Sequence, residues 1–216
     1  MTITGFILAG GQSSRMGRDK ALLRVGSPAH RSLSVGGQTL LELVMQRLAP
    51  CVQRVVVIGN AHNARRLEAL SNAPVLTDLA PDAGPLMGVY TGLMHTETPL
   101  SLFVSCDMPW IESRLIERLT AAAGLGTKVI ASLHPCEGIQ PLPLLCHASA
   151  RRNVGALLDR GARSLQALLE IPRARLVRIE EPALWRAFTN VNTPADYACL
   201  RRASHRLATR QAGQTP

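Results

Sequence analysis

Aromatic residues are scarce in this sequence, at 3%, and lysine is scarcer still, with Lys20 and Lys128 standing among 24 basic residues. The formal net charge of +9 is therefore carried by arginine. Those arginines (Arg65, Arg66, Arg151, Arg152, Arg201, Arg202) are scattered over helical patterns with no interleaved aromatics, which argues against a nucleic-acid groove and for a solvated basic surface that could still favour an acidic ligand. The five cysteines form no C-x-x-C pair and no Cys/His zinc spacing, so reduced, mostly buried thiols are expected. No apolar run approaches the ~20 residues that cross a bilayer. The apolar residues 3–9 have neither a basic lead nor a cleavage pattern, and the predicted location is the cytoplasm, away from membranes. Neither G-x-G-x-x-G nor a Walker loop occurs, and no repeat of solenoid period is present.

What is present is alternation. Residues 2–9 form a short apolar run ending at Gly10-Gly11, as a first buried parallel strand should. Leu40, Leu41, Val44, Met45 and Leu48 share one face of a helix over 39–49 that Pro50 stops. Strand is predicted at 55–58, helix at 62–70, strand at 75–77, helix at 86–95 and strand at 102–104. Beyond a helix bearing Leu115, Ile116 and Leu119 come strands at 128–133 and 142–146, helices at 149–159 and 164–170, and a strand at 175–179. A last helix over 194–206 opens with Thr193 as cap, Pro194 in the first turn and Asp196 three residues on. This order implies an α/β fold in three layers with a mostly parallel central sheet. It occupies one domain over 1–207, with a loop insertion at about 25–38 and an unstructured tail at 208–216.

In such sheets ligands bind beyond the carboxyl ends of the strands. Those positions hold the glycine-rich stretch Gly10–Gly17 with Arg15 and Lys20, then Asn60, Asp78, and Asp107 within Cys106-Asp107-Met108-Pro109. Glycine backbone N–H groups suit phosphate oxygens, although a tight strand-to-helix turn would use the same residues. Asp107 suits a hard cation such as Mg²⁺, although a lone Asp after a strand is more often a helix cap.

Taken together, Leu8-Ala9-Gly10-Gly11-x-Ser-x-Arg15-Met16-Gly17-x-Asp19-Lys20 resembles the opening signature of sugar-nucleotide and cofactor nucleotidyltransferases. With Asp78, Gly84-Pro85-Leu86-Met87-Gly88, Cys106-Asp107-Met108-Pro109 and Asn190-Val191-Asn192-Thr193-Pro194, the chain resembles the molybdenum cofactor guanylyltransferase (MobA) family from residue 3 to about residue 200. The resemblance implies a Rossmann-like fold, GTP and molybdopterin as substrates, and Mg²⁺ as cofactor. Leu8, Ala9, Gly10, Gly11, Asn60 and Asp78 would bind the nucleotide, Arg15 and Lys20 its phosphates, and Asp107 both nucleotide and metal. Gln140, Asn190 and Asn192 would face the acceptor or complete the metal shell. Molybdenum cofactor insertion proteins and apo-molybdoenzymes would take the product. A relative using CTP, or a carrier that binds cofactor without transfer, are the rival readings.

Overall fold

The computed structural model describes residues 2–10, 19–25, 37–81 and 83–212, with side chains through residue 203. Gly11, Arg15 and most of the 25–38 insertion lie outside the described residues.

Strand β1 (Ile3–Leu8) is buried along its length and sits mid-sheet. It pairs in parallel with β4 (Arg54–Gly59) on one side and β6 (Leu100–Ser105) on the other, and β5 (Val75–Thr77) extends the sheet beyond β4. On the far side β8 (Gly138–His147) runs antiparallel to β6 and to β7 (Val129–His134), while β9 (Ala174–Arg178) lies parallel to β7. The order is β5-β4-β1-β6-β8-β7-β9, the mostly parallel sheet the alternating pattern predicts. A separate two-stranded ribbon pairs β2 (Arg24–Val25) with β3 (Gln38–Thr39).

Alternate residues of the central strands feed opposite layers, which is why their sequences read as continuous apolar runs. Ile3, Ile7, Val57 and Val104 pack with α1 (Leu40–Leu48), α2 (Ala64–Leu70) and α4 (Ser113–Ala121) through Leu41, Val44, Leu67, Leu115 and Leu119. Phe6, Ile58 and Phe103 pack with α3 (Pro85–His95) and α5 (Arg151–Asp159) through Leu86, Val89, Leu93 and Val154. The Phe6 and Phe103 rings stack at 5.1 Å. Thr39 and Glu42 form a reciprocal capping box at the start of α1, an arrangement that contributes roughly 1 kcal/mol.

Three local readings need correction. The helix read over 164–170 is a 3-10 helix, Leu165–Glu170. After the short α6 (Pro182–Trp185), the final helix α7 runs Pro194–Ala212, past residue 206 and into the tail predicted to be unstructured from 208. Apart from Thr209 that stretch is made of Ala, Leu, Arg and Gln, with no Gly or Pro before Gly213, so helix propensity carries it on. Of the five free cysteines, Cys106 and Cys146 are buried, Cys51 is half-buried, and Cys136 and Cys199 are exposed, so the thiols are less buried than composition suggested.

Candidate active site

Because β1, β4, β5 and β6 are parallel, their carboxyl ends share one rim, and backbone bonds extend the ladder past the strands themselves. Ala9 N donates to Ile58 O at 2.8 Å, Cys106 N to Leu8 O at 3.1 Å, and Asp78 N to Gly59 O at 3.0 Å. This places Leu8, Gly10, Asn60, Asp78 and Ser105 around one cavity of about 390 Å³, closed by Gly84, Gly88 and Leu142. Gly84 has φ +78, and a Cβ there would stand 2.8 Å from the carbonyl oxygen of Arg163, so this lip of the cavity is restricted to glycine.

Asn60 lines the cavity just beyond the end of β4. Its Nδ2 donates to Gly10 O at 2.7 Å, tying the end of β4 to the start of the glycine-rich stretch. Asp78 is held between Gly10 and Gly88, with Oδ1 buried and without a hydrogen-bond partner among the described residues. Burial raises its carboxyl to about 6, a rise partly offset by a hydrogen bond to Thr91. An acceptor atom left bare in a cavity is costly unless a ligand supplies the donor.

Beside the cavity stands a second group. Asp19 caps the 3-10 turn Lys20–Leu22 by accepting from Ala21 N at 3.1 Å. From that turn Lys20 Nζ reaches Asn192 Oδ1 at 2.6 Å and Asp107 Oδ2 at 3.4 Å. Lys20 and Asp107 are 16% and 13% exposed, so their ion pair is well shielded from water. Val191 N donates to the Asp107 carbonyl at 2.9 Å, strapping the segment before α7 onto the end of β6. Thr193 and Asp196 cap α7 reciprocally, and the Asp196 carboxylate also accepts from Asn192 N at 3.0 Å.

Asp107 Oδ1 is buried and has no hydrogen-bond partner among the described residues, while no cluster of three or more His, Cys, Asp or Glu side chains suited to a metal occurs among them. A single available carboxylate oxygen, with no cage around it, fits a magnesium ion that takes most of its remaining ligands from phosphates and water. Cys106 is buried, and burial first, then the Asp107 and Asp19 carboxylates, push its thiol well above the usual range.

Not every candidate converges. Asn190 is exposed, and Gln140 on β8 turns its amide towards Glu137 at 3.5 Å. Sequence reasoning also missed Asn63, whose Nδ2 donates to Ala9 O at 2.8 Å and to Asp19 Oδ2 at 3.2 Å. Its place at the start of α2 marks it as a helix cap, yet its side chain makes no cap hydrogen bond.

The MobA-like NTP transferase domain model matches residues 5–178. The chain belongs to the MobA-like NTP transferase family. A molybdenum cofactor guanylyltransferase of Serratia proteamaculans is 36% identical over 201 residues, covering 92% of this chain and 93% of that protein. A probable molybdenum cofactor guanylyltransferase of Bacillus cytotoxicus is 32% identical over 203 residues, covering 92% and 96%. Among solved structures, molybdopterin-guanine dinucleotide biosynthesis protein A of Archaeoglobus fulgidus superposes with a TM-score of 0.76 at 22% identity, covering 93% of this chain and 97% of that one. At that identity the likeness speaks to fold, and this MobA-like transferase shares its layered α/β architecture.

Proposed function

We propose that this protein transfers GMP from GTP to molybdopterin, giving molybdopterin guanine dinucleotide and pyrophosphate. The observation that carries the reading is the Lys20, Asp107 and Asn192 cluster beside a strand-end cavity that holds a carboxylate with one oxygen unpartnered among the described residues. The names of the full-length relatives support the substrates.

In the reaction an oxygen of the molybdopterin phosphate forms a bond to the α-phosphorus, and the bond from that phosphorus to the bridging oxygen of pyrophosphate breaks. Such a displacement asks the protein for alignment and charge neutralisation more than for covalent chemistry. Asn60 and Asp78 hold the nucleoside end, with Leu8, Ala9, Gly10 and Gly11 along it. Lys20 and Arg15 bring positive charge to the phosphates, and the shielded setting of Lys20 raises the value of that charge in the transition state. Asn192, already on Lys20, faces the acceptor side. Mg²⁺, bound by Asp107 together with nucleotide phosphates, would neutralise charge on the reacting phosphate.

No helix among the described residues is long and apolar enough to cross a membrane. The setting proposed is the cytoplasm, with insertion proteins and apo-molybdoenzymes as recipients and with no nucleic-acid partner. The test is incubation of purified protein with Mg²⁺, molybdopterin and each of GTP, CTP, ATP and UTP, with products identified by mass. Guanine dinucleotide and pyrophosphate are expected from GTP. A cytosine dinucleotide would reassign the base, and binding without pyrophosphate release would make the protein a carrier.

A further inference from the structure

Asn63 is 7% exposed, and every polar atom of its amide is used. Its Oδ1 accepts from Asn60 N at 2.9 Å, and its Nδ2 donates to Ala9 O at 2.8 Å and Asp19 Oδ2 at 3.2 Å. Ala9 and Asp19 stand on either side of the glycine-rich stretch Gly10–Gly17, so one side chain grips the chain before and after it. What each partner does next matters as much. The other oxygen of Asp19 caps the turn that bears Lys20, and Asn60, held through its own N–H, places its side chain on Gly10 O at 2.7 Å. Space for the amide is reserved by Gly59, where a Cβ would stand 2.8 Å from Asn63 Oδ1. A carboxamide of this length supplies two donors and an acceptor in one plane, which no carboxylate or hydroxyl does.

We propose that Asn63 is a positioning residue for nucleotidyl transfer, setting Lys20 through Asp19 and Gly10 through Asn60. It acts through those residues and has no contact with the reacting atoms. The proposal rests on the guanylyl-transfer reading for its substrate, and on geometry for its mechanism. Removing the amide leaves the Ala9 carbonyl, the Asn60 N–H and one Asp19 oxygen short of a partner in a shielded place, and networks of this kind fail cooperatively.

The test compares Asn63→Ala, Asn63→Asp and, as a core control under the same helix, Leu67→Ala. The affinity for GTP with Mg²⁺ is measured by calorimetry without acceptor, and KM and kcat are measured with molybdopterin. Asn63→Ala is expected to weaken GTP binding about tenfold and to lower kcat by a similar factor, on the scale of a lost charge-assisted hydrogen bond. The molybdopterin KM should not move. Asn63→Asp preserves the shape but presents an acceptor to Ala9 O and the Asp19 carboxylate, so its losses should exceed those of the alanine variant. Leu67→Ala should lower thermal stability while leaving GTP affinity per folded molecule unchanged. Wild-type GTP affinity in Asn63→Asp, or losses in Asn63→Ala that merely track the folded fraction as in Leu67→Ala, would overturn the proposal. If the wild-type protein binds GTP but makes no dinucleotide, the transfer reading fails and the calorimetric comparison still decides the role of Asn63.

Discussion

On one side of the sheet β5, β4, β1 and β6 all run the same way, so Gly10, Asn60, Asp78 and Asp107 reach a common rim by topology alone. On the other side β8 runs against both of its neighbours, and the acceptor-side candidates come from unrelated places: Gln140 on β8 and Asn190 and Asn192 on the segment before α7. Only Asn192 joins the Lys20 and Asp107 cluster. The proposed nucleotide half is thus built by repetition of one device, the parallel strand end, and the proposed acceptor half by lateral contacts from the segment before α7. Damage to the first should cost the reaction itself, and damage to the second should alter which acceptor is held and how well.

The sharpest way to break that comparison is Asp107→Ala. Transfer should fall by about a thousandfold or more, since the one available carboxylate oxygen at the reacting phosphate is lost. Melting temperature should fall only modestly, because the loss of the shielded charge partner of Lys20 is offset by removal of an oxygen buried without a partner among the described residues. Full activity would take Asp107 out of the mechanism. Lys20→Ala comes next, with kcat expected to fall about a hundredfold as a positioned charge is lost. A change confined to GTP affinity would make Lys20 a ground-state binder.

Asn192→Ala addresses the other half. Molybdopterin KM should rise about tenfold, the scale of a hydrogen bond to a charged group, with GTP affinity held. Asn190→Ala, at an exposed position, should change it less than about twofold. Equal effects would erase the distinction between the two asparagines.

A smaller effect concerns pH. Asp78 titrates at about 6 in the fold against an ordinary 3.8, so between those values the folded protein holds a proton the unfolded chain has released. Fold stability from this group is therefore greatest below the lower value and declines as pH rises to about 6. Nucleotide affinity should run oppositely if the ligand donates to the ionised carboxylate, strengthening as pH passes about 6. Asp78→Asn should flatten both profiles, and persistence of either would place the titration elsewhere. The smallest change belongs to the insertion. Val25 stands directly opposite Gln38 in the antiparallel ribbon, so a four- or five-residue hairpin turn closes that stem as well as a longer loop does. Replacing residues 26–37 by such a turn should leave folding and transfer nearly unchanged. Loss of transfer would make the segment part of the active site, and loss confined to enzyme maturation in cells would make it a docking element.

Much of this was legible in the residues. Buried strands announce themselves as apolar runs, and the rim follows from their order, so Gly10, Asn60, Asp78 and Asp107 could be placed without coordinates. The Lys20 to Asn192 contact could not, since no periodicity links residues 172 apart. Asn63 was hidden for a different reason. An asparagine at a helix start has a ready local explanation, and only the absence of a cap hydrogen bond reveals that its amide is engaged elsewhere. Gln140 and Asn190 are the converse case, polar residues in suggestive segments whose side chains do not join the cluster.

The strap between Val191 N and the Asp107 carbonyl also orders events in time. During synthesis the glycine-rich stretch and Lys20 emerge early, and the strands that carry Asn60, Asp78 and Asp107 follow, so the nucleotide side can assemble while the ribosome is still at work. Asn192 arrives long afterwards. Until it docks, Lys20 and Asp107 lack their contact from the segment before α7, and the cluster is complete only when the last stretch of the fold closes.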